Sequence, residues 1–393
     1  MRRQGARSDR ARTPVILPFL LAALFVVYTV AIYPIAVLAL ARRRPRAVRA
    51  APCEPTVTVL LPVRNGEAYV ERKLQSLAAL DYPQSLIEVL VLSDGSTDGT
   101  EHLVERWPAS NVRLIRLPAQ GKAAALNAGI REAHGEILFL TDVRQPLEPA
   151  SLRLLTACFA DPEVGAASGE IVILAGHTQA EADIGLYRRY EQTVRRALSA
   201  IDSVPGATGA IYAMRRSLAR PMPPDTLLDD VFLPLAAFFA GFRVVLEPRA
   251  RAIDYPTSLH TEFARKVRTL AGVWQIVRFF PTLVTPGNRM LWHFLSHKVF
   301  RLLLPHALLA LLACSFFLAP PLRLLALAWQ ALFYAAALVD IVVPEGFVLK
   351  RLTSPVRTFV VLMAASFCAA AILIFPARLL WRPTTVRAGR AGS

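Results

Sequence analysis

The sequence predicts an α/β domain, a mixed sheet flanked by helices, joined to about four transmembrane helices and an interfacial helical segment. From Thr56 to Thr141, short apolar runs alternate with helix-length segments, which implies a parallel sheet covered by helices. From Val164 to Glu247 the pattern becomes mixed, as where a second half is appended to such a sheet. Hydrophobic residues make up 54% of the 393 residues. That is high for a soluble domain, and the excess is gathered into a few long runs.

Residues 1–14 form a basic tail that carries Arg2, Arg3, Arg7, Arg10 and Arg12. Val15 to Ala41 is uncharged and long enough to cross a hydrocarbon core, which needs roughly 20 helical residues. Ala39-Leu-Ala41 resembles a signal-peptidase site, but the run is longer than the apolar region of a secretory signal. Arg42, Arg43, Arg44, Arg46 and Arg49 follow the span and favour a cytoplasmic exit. The arginines before it argue the other way, so charge alone does not set the orientation. Residues 42–55 read as a basic linker.

The elements of the α/β domain then follow in order. Thr56 to Leu61 is a β-branched strand, and Glu67 to Leu80 has helical spacing. Ile87 to Leu92 is a second strand and Thr97 to Trp107 a second helix. Val112 to Leu117 is a third strand, Lys122 to Ala133 the helix after it, and Glu136 to Thr141 a fourth strand. Val89 to Leu92 is continuously apolar, which fits burial on both faces. Further on, Ile171 to Leu174, Ala210 to Met214 and Phe242 to Leu246 read as strands, and Gln179 to Ala200 as a long polar helix.

Residues 269–298 mix Trp274, Phe279, Phe280, Trp292 and Phe294 with Arg278, Pro281, Pro286 and Arg289, a composition suited to the membrane interface. Further spans are expected over 299–321, 324–343 and 358–377, before a basic tail over 378–393. Asp340 is the one acid in these runs, and it stands close enough to a helix end to reach the interface. Cys53, Cys158, Cys314 and Cys368 are far apart. They show neither metal-ligand spacing nor a disulfide framework. The formal net charge is +16. The arginines cluster beside the spans, without any nucleic-acid-binding signature, so anionic lipid headgroups and a diphosphate account for the charge better than nucleic acid does.

Candidate functional residues stand where strands end, which is where open α/β sheets bind ligands. The first loop, Leu61-Pro-Val-Arg-Asn-Gly-Glu67, leads into a helix whose amides can face an anion. The second, Ser93-Asp-Gly-Ser-Thr-Asp98, has a turn glycine and helix caps. Turn chemistry explains Gly95, Ser96 and Asp98, but does not require Asp94. Gly121-Lys122 opens a helix and offers a point charge to a phosphate, although the spacing is not that of a P-loop. Asp142, in Thr141-Asp-Val-Arg144, suits Mg²⁺ or Mn²⁺ held beside phosphates. Asp229-Asp230, before a helical run, can supply a general base and a helix-start partner.

Taken together, in this order and spacing, these motifs resemble those of the family 2 glycosyltransferases of GT-A fold. The resemblance runs from about Thr56 to Arg268 and extends to membrane-embedded members such as cellulose, chitin and hyaluronan synthases and ceramide glucosyltransferases. It implies a GT-A (Rossmann-like) domain over 56–268 and inverting transfer from a nucleotide-sugar, with UDP expected. The acceptor would be a lipid or glycan, and the catalytic domain would face the cytoplasm. Arg64, Asn65 and Glu67 match the family's first nucleotide-facing loop. Asp94 matches the acid that contacts the base or ribose, with Ser93 where many members have a second Asp. Lys122 lies in the element near the diphosphate that ends at Asn127. Asp142 matches the first, metal-binding acid of D-x-D, which implies a divalent cation. Asp230 matches the base, beside Asp229, and Gly206-Ala-Thr-Gly209 matches the turn near acceptor and donor sugar.

Two departures stand out. Arg144 replaces the second acid of D-x-D, so either a metal ligand is lost or the guanidinium takes part of the diphosphate charge. The family's Q-x-x-R-W element appears as Arg265-Lys-Val-Arg268-Thr269, without the Gln and the Trp. The missing Trp weakens the case for a processive polymer synthase. That reading, with translocation, stays open beside a catalytically silent membrane scaffold. A nucleotidyltransferase fits poorly, because Arg64-Asn-Gly is not its glycine-rich loop.

Overall fold

The computed structural model describes residues 13–173, 179–254 and 259–375. Within these, residues 40–173 and 190–254 form an α/β unit, and 13–39, 179–189 and 259–375 a helical unit.

The α/β unit is built on one sheet of seven strands: β1 Val57–Val63, β2 Ile87–Asp94, β3 Val112–Leu117, β4 Ile137–Leu140, β5 Val164–Ile173, β6 Tyr212–Arg215 and β7 Arg243–Asp254. Their spatial order is β3-β2-β1-β4-β6-β5-β7. β1 pairs in parallel with β2 and β4, and β2 in parallel with β3. β6 runs antiparallel to both β4 and β5, and β5 pairs in parallel with β7. The sheet is therefore mixed, as expected, and the antiparallel strand lies in the half where the sequence pattern became irregular.

Helices α1 Val70–Ala78, α2 Thr100–Glu105, α3 Lys122–Glu132, α4 Ser151–Ala157, α5 Gln179–Ile201 and α6 Asp229–Phe239 accompany the strands. α1 buries Val70, Leu74 and Leu77 in the same core as Val57, Val59 and Leu61 of β1 and Leu152 and Leu155 of α4. That one-sided stripe is the reason this stretch is helical. α1 and α2 are shorter than expected, because residues 67–69 and 97–99 are used in the loops that precede them.

β5 and β7 are much longer than their sequence patterns suggest. β5 opens with Val164-Gly-Ala-Ala-Ser-Gly169, which has no period-two apolar pattern. Its small residues admit close neighbours: a Cβ on Gly165 would lie 2.6 Å from Phe242 Cβ, and one on Gly169 2.5 Å from the Ala250 carbonyl oxygen. β7 continues past Pro248 across a register shift opposite Ser168 and Glu170. Conversely, β6 starts only at Tyr212.

The stretch over 42–55, expected as a linker, is bonded to the α/β unit. The Arg46 amide donates to the Ala200 carbonyl (2.6 Å), and its guanidinium reaches Glu163 (2.8 Å) and Asp202 (2.9 Å). Arg49 meets Asp161. Arg243, 1% exposed, donates to the carbonyls of Arg46, Ser199 and Asp202. Arg46 and Arg49 of the basic run thus find carboxylates of this unit.

Among the described residues, four helices are long and apolar enough to cross a membrane: Val15–Arg43, Leu291–Ser315, Leu322–Val339 and Lys350–Leu373. The second begins inside the segment expected to be interfacial, and the last begins eight residues before Thr358. Between them, the helix Leu259–Phe279 runs across residue 268, the expected end of the catalytic domain. π-helical turns at Tyr28–Ile32 and Leu295–Val299 lie in two of the long helices. These helices are joined by Tyr28 Oη to Ser296 Oγ (2.7 Å) and by Trp292 Nε1 to Tyr28 Oη (2.8 Å).

Asp340 ends the helix Leu322–Val339 as expected, but it turns inward rather than to the interface. It is 1% exposed, accepts from Thr353 Oγ1 (2.6 Å) and lies 3.3 Å from both Lys350 and Arg357. A carboxylate at an apolar helix end is tolerated when it is paired and hydrogen-bonded.

Candidate active site

The candidate residues of the α/β unit come from the carboxyl ends of β1, β2 and β4, the starts of α3 and α6, and the turn before β6. The first two loops are laced to each other. Asn65, with φ 53°, accepts the Thr97 amide at its Oδ1 (2.8 Å) and donates its own amide to Ser96 Oγ (3.1 Å). The Gly66 amide donates to Thr100 Oγ1 (2.8 Å). The Glu67 amide donates to Asp98 (3.1 Å), and the Glu67 carboxylate accepts the Gly99 amide (3.1 Å). Asn65 and Glu67 are therefore used to shape the loops. Arg64 is exposed and makes no hydrogen bond or ion pair among the described residues, so its guanidinium is the free cation of this loop.

Asp94, 5% exposed, also has a job within the fold. Its carboxylate accepts the amides of Gln120 (2.8 Å) and Gly121 (3.0 Å). Ser93 Oγ donates to Glu101 (2.6 Å). Asp94 thereby fixes the turn that leads into α3, a turn that needs Gly121 at φ 94°. At the far side of α3, Asn127 clamps Met222 by donating to its carbonyl and accepting its amide.

Lys122, the first residue of α3, joins two of the acids. Its Nζ lies 2.9 Å from Asp142 Oδ1 and 3.1 Å from Asp229 Oδ2. The Lys122 and Asp142 side chains are each 38% exposed, so the pair opens to solvent. Burial by itself lowers the lysine pKa, but Asp142, Asp229 and Asp230 outweigh it and the net direction is upward.

Asp229 and Asp230 form the first turn of α6, where carboxylates face the positive end of the helix dipole. Burial, and then the neighbouring Asp229 carboxylate, push the Asp230 pKa up to about 6, while Lys122 and Arg195 pull the other way. Gly209 lies directly against it: a Cβ there would stand 3.2 Å from Asp230 Oδ2. The Ala207 amide donates to the Asp230 carbonyl (2.7 Å), which ties the Gly206–Gly209 turn to the start of α6.

Arg144 is turned away from this group. Its guanidinium pairs with Asp254 Oδ2 (2.9 Å), which also accepts from Gln145 Nε2 (3.1 Å). Its Nε is buried without a hydrogen-bond partner among the described residues. The guanidinium, read as one of two outcomes of the altered D-x-D, is thus paired with a buried carboxylate at the end of β7. Arg265 and Arg268 lie on the helix Leu259–Phe279 of the helical unit.

Three residues here have no precedent in the sequence reading. Arg195, on α5, donates to Thr208 Oγ1 (3.0 Å) and to the Gly206 carbonyl (3.0 Å), bracing the turn beside Asp230. Tyr212 is fully buried, with its hydroxyl unpartnered among the described residues, and burial and the carboxylates of Asp229, Asp230 and Asp142 raise its pKa. Lys73, 1% exposed, stands in the apolar stripe of α1, and burial lowers its pKa to about 7 against the pull of Asp142. A lysine between Val70, Leu74 and Leu77 was a visible oddity. Arg195 and Tyr212 carried no such signal.

Among the described residues no group of three or more His, Cys, Asp or Glu side chains gathers as a metal cage. The donor chemistry nevertheless fits a hard divalent cation held together with substrate phosphates. Such ions take one or two carboxylates and complete their shell with phosphate and water, and Asp142 is an open carboxylate of that kind.

A mixed, helix-flanked sheet of this order, with Asp94 and Asp142 at strand ends, Asp229 and Asp230 at a helix start and Lys122 between Asp142 and Asp229, defines a GT-A glycosyltransferase. The chain belongs to the family 2 glycosyltransferases: the family described as Glycosyl transferase family group 2 matches residues 145–375, and Glycosyl transferase family 2 matches 58–220. Among curated proteins, it is 26% identical over 211 residues to the probable glycosyltransferase YdaM of Bacillus subtilis, covering 50% of each chain. It is 22% identical over 243 residues to the poly-β-1,6-N-acetyl-D-glucosamine synthase of Staphylococcus epidermidis, covering 58% of each. The chain thus spans about half the length of these relatives. The mannosyltransferase PcManGT from Pyrobaculum calidifontis, solved with GDP-Man and Mn²⁺, shares the fold at a TM-score of 0.71 and 24% identity, over 90% of this chain and 98% of that one.

Proposed function

We propose that this glycosyltransferase transfers a sugar, with inversion, from a nucleoside-diphosphate donor to a hydroxyl of a lipid or glycan acceptor, with the α/β unit on the cytoplasmic side of a membrane. UDP is the expected nucleotide. The observation that carries the reading is the acid pair at the start of α6 beside Lys122. Asp230 is held against the Gly206–Gly209 turn with a pKa raised to about 6. That value suits a general base near neutral pH.

In this reading Asp230 takes the proton of the acceptor hydroxyl as its oxygen bonds to the anomeric carbon. The bond from that carbon to the diphosphate breaks, and the nucleoside diphosphate leaves with the electron pair. Lys122 faces the diphosphate and compensates its growing charge, and Arg64 meets the nucleotide from the first loop. Asp142 would hold a divalent cation, which supplies further charge stabilisation to the leaving group. Asp94 serves the nucleotide indirectly, by fixing the turn at Gly121, and Arg144 serves Asp254.

The likeness to a polysaccharide synthase supports a second reading, processive synthesis, against which stands the Thr269 found where that class has Trp. The test is a screen of nucleotide-sugar donors with membranes that contain the full chain, with product sizing and a chelator arm. Transfer of one or a few sugars, lost in chelator, is the expected result. A long polymer would establish the second reading. No transfer from any donor would overturn both in favour of a silent scaffold.

A further inference from the structure

A charged side chain in the core of the α/β unit has no part in the transfer step. Lys73 lies on the buried stripe of α1 and has no carboxylate within ion-pair distance among the described residues. An unpaired buried charge is costly, and Leu or Met would fill the position more cheaply. The contacts of the ammonium show what it does instead. Lys73 Nζ donates to Thr141 Oγ1 (2.6 Å) and to the Gln145 carbonyl (2.6 Å). Those two acceptors bracket the loop Asp142-Val-Arg144, so one ammonium closes both ends of the loop that carries the cation-facing acid.

The contact continues through Thr141. Its hydroxyl accepts from Lys73 and donates to the Ala210 carbonyl (2.7 Å), in surroundings where Thr141 is 1% and Ala210 2% exposed. Ala210 follows Gly209, the residue packed against Asp230. A single buried chain, Lys73 to Thr141 to Ala210, therefore runs from the donor-side loop to the acceptor-side turn.

We propose that Lys73 is a positioning residue that holds the Asp142–Arg144 loop, through Thr141 and Gln145, in register with the Gly209 turn and Asp230. The inference rests on the reading of Asp142 as the acid that faces the donor diphosphate and its cation. A neutral side chain of equal length fills the same space but leaves both ends of the loop untied.

The test uses the full chain in detergent or nanodiscs, as wild type, Lys73→Met, Lys73→Arg, Thr141→Val and the Lys73→Met/Thr141→Val double variant. Two quantities are measured: the melting temperature without ligand, and the affinity for UDP, GDP, ADP and dTDP, each with Mn²⁺. Lys73→Met removes a buried charge but leaves two buried acceptors without their donor, so it is expected to melt close to the wild-type temperature. It should bind the preferred Mn²⁺–nucleotide about 10- to 100-fold more weakly, the usual effect of removing a group that orients a metal-holding side chain. Lys73→Arg should recover part of the affinity. Thr141→Val should also weaken binding, and its loss should not add to that of Lys73→Met, as expected for partners in one chain. A Lys73→Met variant that melts well below wild type yet binds with full affinity overturns the proposal, because Lys73 is then only a core strut. Unchanged values of both quantities overturn it as well. If the unaltered chain binds none of the four diphosphates, the donor-site reading fails and takes the proposal with it.

Discussion

At the scale of single residues, the fold raises the proton affinity of one acid, Asp230, and spends another, Asp94, on architecture. Asp230 has a folded-state pKa of about 6 against 3.8 for an ordinary aspartate, first because it is buried and then because Asp229 is beside it. As a base it must be deprotonated, so kcat/KM should rise as the pH passes through about 6 and level off above, and a kcat/KM–pH profile on the full chain reads this ionisation in the unliganded protein. The same shift bears on stability with the opposite sense. The folded chain binds this proton more tightly than the unfolded one, so the group's contribution is present below pH 3.8 and is lost as the pH climbs through about 6. Asp230→Asn should therefore lower turnover by about 10²- to 10⁴-fold, the span of general-base effects. It should leave nucleotide affinity largely intact and raise the melting temperature at pH 8. Turnover near the wild-type rate would falsify the assignment of the base. The ordered acids were legible in the sequence because each follows a strand or opens a helix. Their division of labour was not, since it depends on contacts distant in sequence: Asp94 is taken by the Gln120 and Gly121 amides and Arg144 by Asp254.

At the scale of elements, the turns matter more than the strands they join. β1 to β4 were legible within a residue or two at most ends, because buried parallel strands read as continuous apolar runs. β5 and β7 were not. The small residues of β5 encode close packing against Phe242 and Ala250 rather than an apolar pattern, and β7 crosses a proline and a register shift. The turn into α3 shows how such geometry serves the site. Gly121 adopts φ 94° and ψ 163°, a conformation nearly confined to glycine. A Cβ there would meet no other atom within 4 Å, so Gly121→Ala isolates backbone strain from crowding. The substitution should cost about 1–3 kcal/mol of stability, measured by denaturant unfolding, if the turn is kept. If the turn relaxes instead, the loss appears as weaker nucleotide binding, because Asp94 releases the amide that sets Lys122 in place. A variant with neither effect would show that the turn tolerates other conformations and does not fix Lys122.

At the scale of the whole molecule, the sequence showed long apolar runs, and the structure shows which of their faces remain uncovered. Leu324, Trp329 and Leu332 are 64%, 72% and 64% exposed, and Val342 and Val348 are 79% and 72% exposed. Soluble proteins rarely leave contiguous apolar faces of this kind open to water. Helices also satisfy their own backbone polar groups, which is what an apolar solvent demands. Some polar groups at the ends of these helices are paired inward, as Asp340 is with Lys350, Thr353 and Arg357. The span boundaries shifted from those expected because helical structure continues into polar flanks, as from Lys350 to Thr358, where hydropathy alone stops. A chain held only by its basic surface would leave membranes at high salt or high pH, because its attraction to anionic headgroups is screened or titrated away. A chain that crosses the bilayer through these helices would not. Membranes containing this protein should therefore retain it in the pellet after washes with 1 M salt and with alkaline carbonate (about 3 Å of Debye screening length in the former), and a mild detergent should release it. Release by either wash would show that the exposed faces of these helices are covered by something other than lipid.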